Sequence, residues 1–253
     1  MRIALCLSGI VGRIYDFKAG YTFNKDVDYR IGYHFYKKHI FDVNDTVDVF
    51  IQCWDTKYEE EMVDLYKPVV YKFEEPKAFD PFSFRQNNIE SRWYATKMVN
   101  EMKKTYEEYN NFTYDVVMSS RFDVGFFKDL KFDKIPDMDK NLYIASSNPP
   151  NKERITVLDY WYFSNSKNMD IVTNFYHYWK EYGGGSPHRD LYKWPTDNGI
   201  NVAMLPDFSD SEKGNGNTDL LRAIYDDCEY KGDDFPGVDS LKKLDKYPRG
   251  TRF

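Results

Sequence analysis

Arg121 and Asp123 are the residues whose types and spacing point most directly to chemistry, because they end an apolar stretch and are separated by one residue. Residues 114–123 predict a strand with a polar end, and alternate residues of an extended chain point to the same side. There, Arg121 would neutralise a phosphate while Asp123 would bind a divalent cation such as Mn²⁺ or Mg²⁺. The alternative is an internal salt bridge with a structural role.

A glycine-containing loop follows residues 3–7, a short apolar run that predicts the first strand. The backbone of Ser8 and Gly9 and the side chain of Arg13 are placed to meet a nucleotide or its phosphates. The loop lacks the G-K-[S/T] ending of a Walker loop and does not fit G-x-G-x-x-G, which argues against the kinase and dehydrogenase classes. A plain turn is the alternative.

Carboxylates follow the next two predicted strands, at 47–53 and 69–71. Asp55 comes after the first of these strands, and the pair Glu74-Glu75 comes after the second. The carboxyl ends of parallel strands meet at one sheet edge, where a carboxylate can accept a hydrogen bond from a base or a ribose hydroxyl. An ordinary solvated side chain is the alternative for each of them.

The elements that would position these residues alternate between strand and helix, which predicts an α/β domain of Rossmann type with a mixed, mainly parallel central sheet flanked by helices. Further short strands are predicted at 142–145 and 161–163. Helices are predicted at 29–40, 59–66, 91–109 and 169–182, and residues 76–90 and 186–195 are predicted as loops. Thr196 and Asp197 are placed to cap a short helix through residue 203.

Composition restricts the class of protein. The 253 residues carry 35 basic and 41 acidic side chains, a formal net charge of −6, which argues against broad binding to nucleic acid. The 18% aromatic content supplies a core and argues against disorder. The three separated cysteines suggest neither a disulfide framework nor a zinc cluster. Since no stretch has signal length or approaches the roughly 18 apolar residues of a membrane span, a cytoplasmic protein is predicted.

Three segments together resemble one family, the small proteins with the glycosyltransferase A fold found among bacterial and viral polysaccharide-modifying genes. The segments are residues 6–9 with Arg13, residues 48–51 leading to Trp54-Asp55, and residues 91–97 before the strand 114–123. Their order and spacing over residues 1–130 carry the resemblance. The chain departs from the family in having Ile10-Val11-Gly12-Arg13 where Gln-x-Arg is common, and in having Arg121 at the first position of the metal-binding D-x-D element.

The resemblance implies one domain with a nucleotide-binding half at 1–130, an acceptor-binding half at 131–210 and an irregular C-terminal extension at 211–253. It implies a glycosyltransferase that takes a sugar from a nucleotide diphosphate sugar to a hydroxyl of a glycan or glycoconjugate, with help from a divalent cation. The nucleotide-binding candidates are Ser8, Gly9, Arg13, Asp55, Arg92, Lys97 and Arg121, and the metal candidate is Asp123.

Two carboxylates compete for the catalytic role beside the anomeric carbon. Asp159 precedes the predicted strand at 161–163, and Asp197 lies in a segment similar to the acidic helix start of some retaining members. Either would orient or deprotonate the acceptor hydroxyl. Caps or loop residues are the alternative for both.

Two other functions remain open. A sugar nucleotidyltransferase shares the sheet order but usually has a Gly- and Lys-rich loop after the first strand, which this chain lacks. A non-catalytic protein that binds a glycan or a partner would explain the missing first Asp of D-x-D. Nucleotide affinity separates the enzyme classes from the glycan-binding class.

Overall fold

The computed structural model describes residues 1–16, 22–80, 83–145, 157–182, 185–205, 208 and 218–220. The strands are β1 Arg2–Gly9, β2 Arg13–Asp16, β3 Thr22–Asp26, β4 Thr46–Cys53, β5 Val70–Phe73, β6 Val116–Ser120, β7 Val124–Phe126, β8 Asn141–Ile144, β9 Trp161–Ser164, β10 Asn201–Met204 and β11 Thr218–Leu220. The helices are α1 Tyr29–Tyr36, α2 Glu59–Tyr66, α3 Phe84–Asn110, α4 Ser166–Thr173 and α5 Pro187–Asp197, with a π-helical turn Lys37–Phe41 and 3₁₀ turns Thr56–Tyr58, Phe132–Lys134 and Asn174–His177.

Seven strands form the central sheet in the order β10-β8-β9-β6-β1-β4-β5. The pairs β1/β4, β1/β6, β4/β5 and β8/β10 are parallel, whereas β9 runs antiparallel to both of its neighbours. This confirms the predicted α/β domain with a mixed, mainly parallel sheet. Two small antiparallel pairs, β2/β3 and β7/β11, lie beside it.

The central strands are nearly continuous apolar runs because both faces of the sheet are covered. Along β1, alternate residues enter two different cores. Leu5 and Leu7 pack on the face that α1 and α2 cover, whereas Ala4 and Cys6 pack on the face that α3, α4 and α5 cover. Burial raises the pKa of Cys6 to about 12, so the thiol stays protonated. The sheet is therefore the middle layer of three, with helices on both of its faces.

α3 begins seven residues before the predicted start, inside the segment 76–90 that was expected to be loop. Ser83 caps it, because its Oγ accepts a hydrogen bond from the backbone N–H of Gln86 at 3.2 Å. The helix ends at Asn110, and its C-cap Asn111 takes a left-handed conformation with φ of 52°. Arg92, near the start of this helix, lies at the carboxyl end of β1, where it contacts Ser8.

The segment 186–195 is helix α5 rather than loop, so that prediction is wrong. Pro187 stands at the first helical position, where a missing N–H costs no helix hydrogen bond. The predicted helix capped by Thr196 and Asp197 is also wrong, because both residues end α5 and the chain continues into β10, which pairs with β8. In place of the single helix expected at 169–182, α4 ends at Thr173. The 3₁₀ turn Asn174–His177 and a further turn follow it.

Of the extension predicted at 211–253, the structure describes Thr218–Leu220, which pair with β7. The rest of that prediction lies outside the described residues. Among the described helices, none is both long and apolar enough to cross a membrane.

Candidate functional site

The carboxyl ends of the central strands gather the predicted site residues. Gly9 at the end of β1 lies opposite Cys53 at the end of β4, and Leu7 lies opposite Ser120 at the end of β6. Since β9 is antiparallel, its first residue, Trp161, also lies opposite Ser120. The loops after β1, β4 and β6 and the segment before β9 therefore meet at one edge of the sheet.

Arg121 and Asp123 form the internal salt bridge that the sequence left as an alternative. Arg121 Nε donates to Asp123 Oδ1 at 2.7 Å, and Nη2 donates to Oδ2 at 3.0 Å. Asp123 has no exposed surface, whereas the Arg121 side chain keeps 17%. Burial opposes the charge on Arg121, but the Asp123 carboxylate outweighs it and raises the arginine's pKa. Arg121 Nη1 makes no hydrogen bond within the described residues.

This arrangement does not fit a divalent cation at Asp123. Both carboxylate oxygens already accept hydrogen bonds from Arg121. Within the described part of the chain, no three His, Cys, Asp or Glu side chains come together as a metal site would require. No step below passes through a metal, and metal dependence stays a prediction.

The loop after β1 packs directly on this pair. Gly12 has a φ of +107°, and a Cβ there would lie 2.9 Å from Asp123 Oδ2 and 3.0 Å from Val27 Cγ2. Asp55 Oδ2 accepts a hydrogen bond from the Val11 N–H at 2.8 Å. Asp55, a nucleotide-binding candidate, is thus hydrogen-bonded to the loop after β1. Arg13 begins β2, and its side chain lies outside the described residues.

Asp159 is the centre of a second set of polar contacts at the same edge. Arg92 Nη2 donates to the Asp159 backbone oxygen at 3.0 Å, and Arg92 Nε lies 3.5 Å from Asp159 Oδ2. Arg92 Nη1 reaches Ser8 Oγ at 3.4 Å, which ties this set to the loop after β1. Burial by itself raises the pKa of Asp159, but Arg92, His188 and Arg121 outweigh it and lower the pKa. Asp159 is therefore ionised at neutral pH.

His188 completes this set. Its Nδ1 lies 3.4 Å from Asp159 Oδ1 and 2.9 Å from the backbone oxygen of Val157. From the sequence, His188 is expected to be a solvated loop residue, with a third metal ligand as the alternative. No local pattern links His188 to a partner 31 positions away, so sequence reasoning missed this contact. We call the set the edge cluster; its members are Ser8, Arg92, Arg121, Asp123, Asp159 and His188.

Two predicted site residues lie elsewhere. Lys97 forms an ion pair with Glu101 and lines a cleft of about 380 Å³ between α3, α4 and α5. Asp197 accepts hydrogen bonds from Lys193 Nζ at 2.6 Å and from the Tyr182 hydroxyl. At a rise of about 1.5 Å per residue, Asp197 is roughly 14 Å along α5 from His188. Of the two competing carboxylates, the structure therefore brings Asp159, not Asp197, into the edge cluster.

An aromatic group borders the edge between β4 and α3. Trp54 stacks on Tyr94 with ring centroids 5.5 Å apart, and Phe79 packs against both rings. Lys77 Nζ lies 4.2 Å above the Tyr94 ring and forms an ion pair with Glu74 at 2.8 Å. The predicted carboxylate Glu74 is thus already paired, and Trp54 is buried.

No protein-family model matches this sequence, and none of the curated proteins does. Many solved structures, among them the following three, show a partial likeness. A glycosyltransferase involved in the glycosylation of the major capsid of PBCV-1 has a TM-score of 0.42 and 11% identity, over 81% of this chain and 82% of that one. The nucleoside-diphosphate-sugar pyrophosphorylase of Vibrio cholerae RC9 has a TM-score of 0.44 and 11% identity, over 87% of this chain and 95% of that one. The CTP:phosphocholine cytidylyltransferase of Streptococcus pneumoniae has a TM-score of 0.44 and 12% identity, over 96% of both chains.

Proposed function

We propose that this protein is a glycosyltransferase that binds a nucleotide diphosphate sugar at the carboxyl edge of its sheet and transfers the sugar to a hydroxyl of a glycan or glycoconjugate. The observation that carries the proposal is the convergence of Arg92 and Arg121 around the ionised Asp159 at that edge. Two guanidiniums there supply N–H donors that suit the oxygens of a diphosphate. The reaction class rests on the sequence resemblance.

Arg121 is suited to the leaving diphosphate because Asp123 holds its guanidinium through two nitrogens and leaves Nη1 for a ligand. A donor fixed before the reaction stabilises developing charge without reorganisation. Arg92 is held in the same way by Ser8 and by the backbone of Asp159. In this proposal both guanidiniums bind phosphate oxygens, and Asp159 keeps Arg92 in place.

The proposal is tested by thermal unfolding in the presence of UDP, GDP, CDP, ADP or TDP. Each nucleotide is measured once with manganese and once with EDTA. A ligand at 100 times its Kd adds about 2.7 kcal/mol to the free energy of unfolding. We expect one of the five nucleoside diphosphates to stabilise the wild-type protein, and we expect Arg92→Ala to abolish this stabilisation. Lys104→Ala is the matched control, because Lys104 is an exposed residue of the same helix. If no nucleotide stabilises the wild-type protein at millimolar concentration, the proposal is wrong.

The two enzyme classes are then separated by their products. A glycosyltransferase releases a nucleoside diphosphate from the matching nucleotide sugar when an acceptor is present. A nucleotidyltransferase instead releases pyrophosphate from a nucleoside triphosphate and a sugar phosphate. The manganese and EDTA arms test the predicted metal dependence directly, because only a metal-dependent site would lose its nucleotide in EDTA.

A further inference from the structure

We infer that His188 is the catalytic base of the proposed reaction and that Asp159 stabilises its charged form. This rests on the proposed function, because the base would act on the acceptor at the same edge cluster. The sequence offered Asp159 or Asp197 for this role, and the comparisons name no residue for it. The inference starts from the hydrogen bonds of the imidazole ring.

Those hydrogen bonds determine which ring nitrogen carries the proton. A backbone carbonyl can only accept, so the 2.9 Å contact requires His188 Nδ1 to donate to the Val157 oxygen. The Val157 N–H in turn donates to the His188 backbone oxygen at 3.0 Å, so the two residues are joined twice. In the neutral ring the proton is therefore on Nδ1, and Nε2 has a free electron pair.

His188 is also better placed than Asp159 to accept a proton. The same contacts that keep Asp159 ionised make it a weak base, and its Oδ2 lies beside Arg92. The His188 side chain keeps 40% of its surface exposed, whereas that of Asp159 keeps 12%. A hydroxyl arriving from solvent thus meets the imidazole more readily than the carboxylate.

The proposed step is a direct displacement. The acceptor oxygen forms a bond to the anomeric carbon while its proton passes to His188 Nε2. The bond between that carbon and the diphosphate oxygen breaks, and its electron pair leaves with the nucleoside diphosphate beside Arg92 and Arg121. Asp159 Oδ1 lies 3.4 Å from Nδ1 and stabilises the imidazolium. The imidazolium then releases the proton to solvent. Attack of this kind inverts the configuration at the anomeric carbon.

Charged groups on the elements that surround His188 come from three places in the chain. They are Asp159 before β9, Arg92 and Arg85 on α3, and Arg189 and Asp190 on α5 itself. Arg85 Nη2 donates to the Gly185 oxygen just before α5, and Arg189 lies 3.4 Å from Asp190. Among the described residues, Asp159 is the carboxylate in contact with the ring.

The test compares His188→Asn with His177→Asn. The asparagine at 188 keeps an N–H donor for Val157 but has no basic nitrogen, and His177 is an exposed histidine that serves as the control. We use release of UDP from UDP-glucose, or the equivalent pair for the nucleotide that stabilises the protein, with water and simple sugars as acceptors. We expect His188→Asn to keep its nucleotide affinity and to lose about 100-fold or more of the release rate. We expect His177→Asn to keep both.

Two further readouts separate a base from a structural residue. The wild-type rate should fall on acidification, because a protonated imidazole has no free electron pair for the acceptor's proton, and the residual rate of His188→Asn should not. Nitrogen NMR of labelled protein should show the Nδ1–H tautomer of His188, whose signals are assigned by their loss in His188→Asn. This readout does not depend on activity. An Nε2–H tautomer, a release rate within threefold of wild type, or loss of nucleotide affinity in His188→Asn would each overturn the assignment. If the wild-type protein binds no nucleotide, the proposed function fails first and this inference fails with it.

Discussion

Arg121 and Asp123 neutralise each other through two hydrogen bonds, of 2.7 and 3.0 Å, at the end of the central strand β6. Asp123 is fully buried, and it fixes the guanidinium of a partly exposed arginine. The R-x-D spacing thus fixes a guanidinium where the D-x-D element of the resembled family would bind a metal. This relationship shapes the first two predictions.

Asp123→Asn should lower the free energy of unfolding by roughly 3 kcal/mol, because an amide accepts through one oxygen only and leaves the charge of Arg121 partly unpaired. Chemical denaturation at pH 7 measures the change. Asp133→Asn is the control, since Asp133 is 57% exposed and pairs with Lys134 at the surface. A change of less than about 0.5 kcal/mol in Asp123→Asn would show that the pair is not structurally important.

Gly12→Ala should destabilise the protein more than Gly9→Ala. Both glycines have a positive φ, of +107° and +109°, which costs an alanine about 1–2 kcal/mol. Only at Gly12 would the new Cβ also lie 2.9 Å from Asp123, and overpacking of this kind costs a further 1–3 kcal/mol or so. Equal losses of stability in the two variants would contradict the close packing of the loop on Asp123.

Lys103→Met should destabilise the protein by about 3 kcal/mol or more. The Lys103 side chain is completely buried, and its Nζ donates to Glu107 and Asp170 at 2.9 Å and to Ser166 at 2.5 Å. Its removal leaves two carboxylates without their cation, at the contact between α3 and α4. Lys104→Met, at the exposed neighbour, should change stability by no more than about 0.5 kcal/mol. Similar melting temperatures for the two variants would refute the role of this network.

Asp159 should make the stability depend on pH in the acidic range. Its pKa in the folded protein is lowered, so its contribution is complete above the unfolded-state value of about 3.9 and is lost as the pH falls through the lower folded-state value. We therefore expect Asp159→Asn to be less stable than wild type at pH 7 and the difference to shrink below about pH 4. Asp197→Asn, at an exposed carboxylate, is the control. A difference that stays constant down to pH 2.5 or so would contradict this assignment.

Local sequence patterns were sufficient for most of the sheet. The apolar runs predicted β1, β4, β6, β8 and β9 to within a few residues, because a strand covered on both faces needs consecutive apolar side chains. The predicted helix at 59–66 has the same bounds as α2. The polar ends of β1, β4 and β6 also located the edge of the sheet where the candidate residues gather.

The partners of the charged residues could not be predicted in this way. A local pattern indicates that a side chain is buried or exposed, but the ion pair that a side chain makes depends on which distant segments the sheet order brings together. The antiparallel run of β9 brings Asp159 to the edge cluster, and α5, predicted as a loop, brings His188 to Asp159. The length of the same helix places Asp197 outside the cluster. Sequence alone determined the layers and the edge of the sheet where the candidate residues gather, whereas the tertiary contacts decided which carboxylate and which histidine lie there.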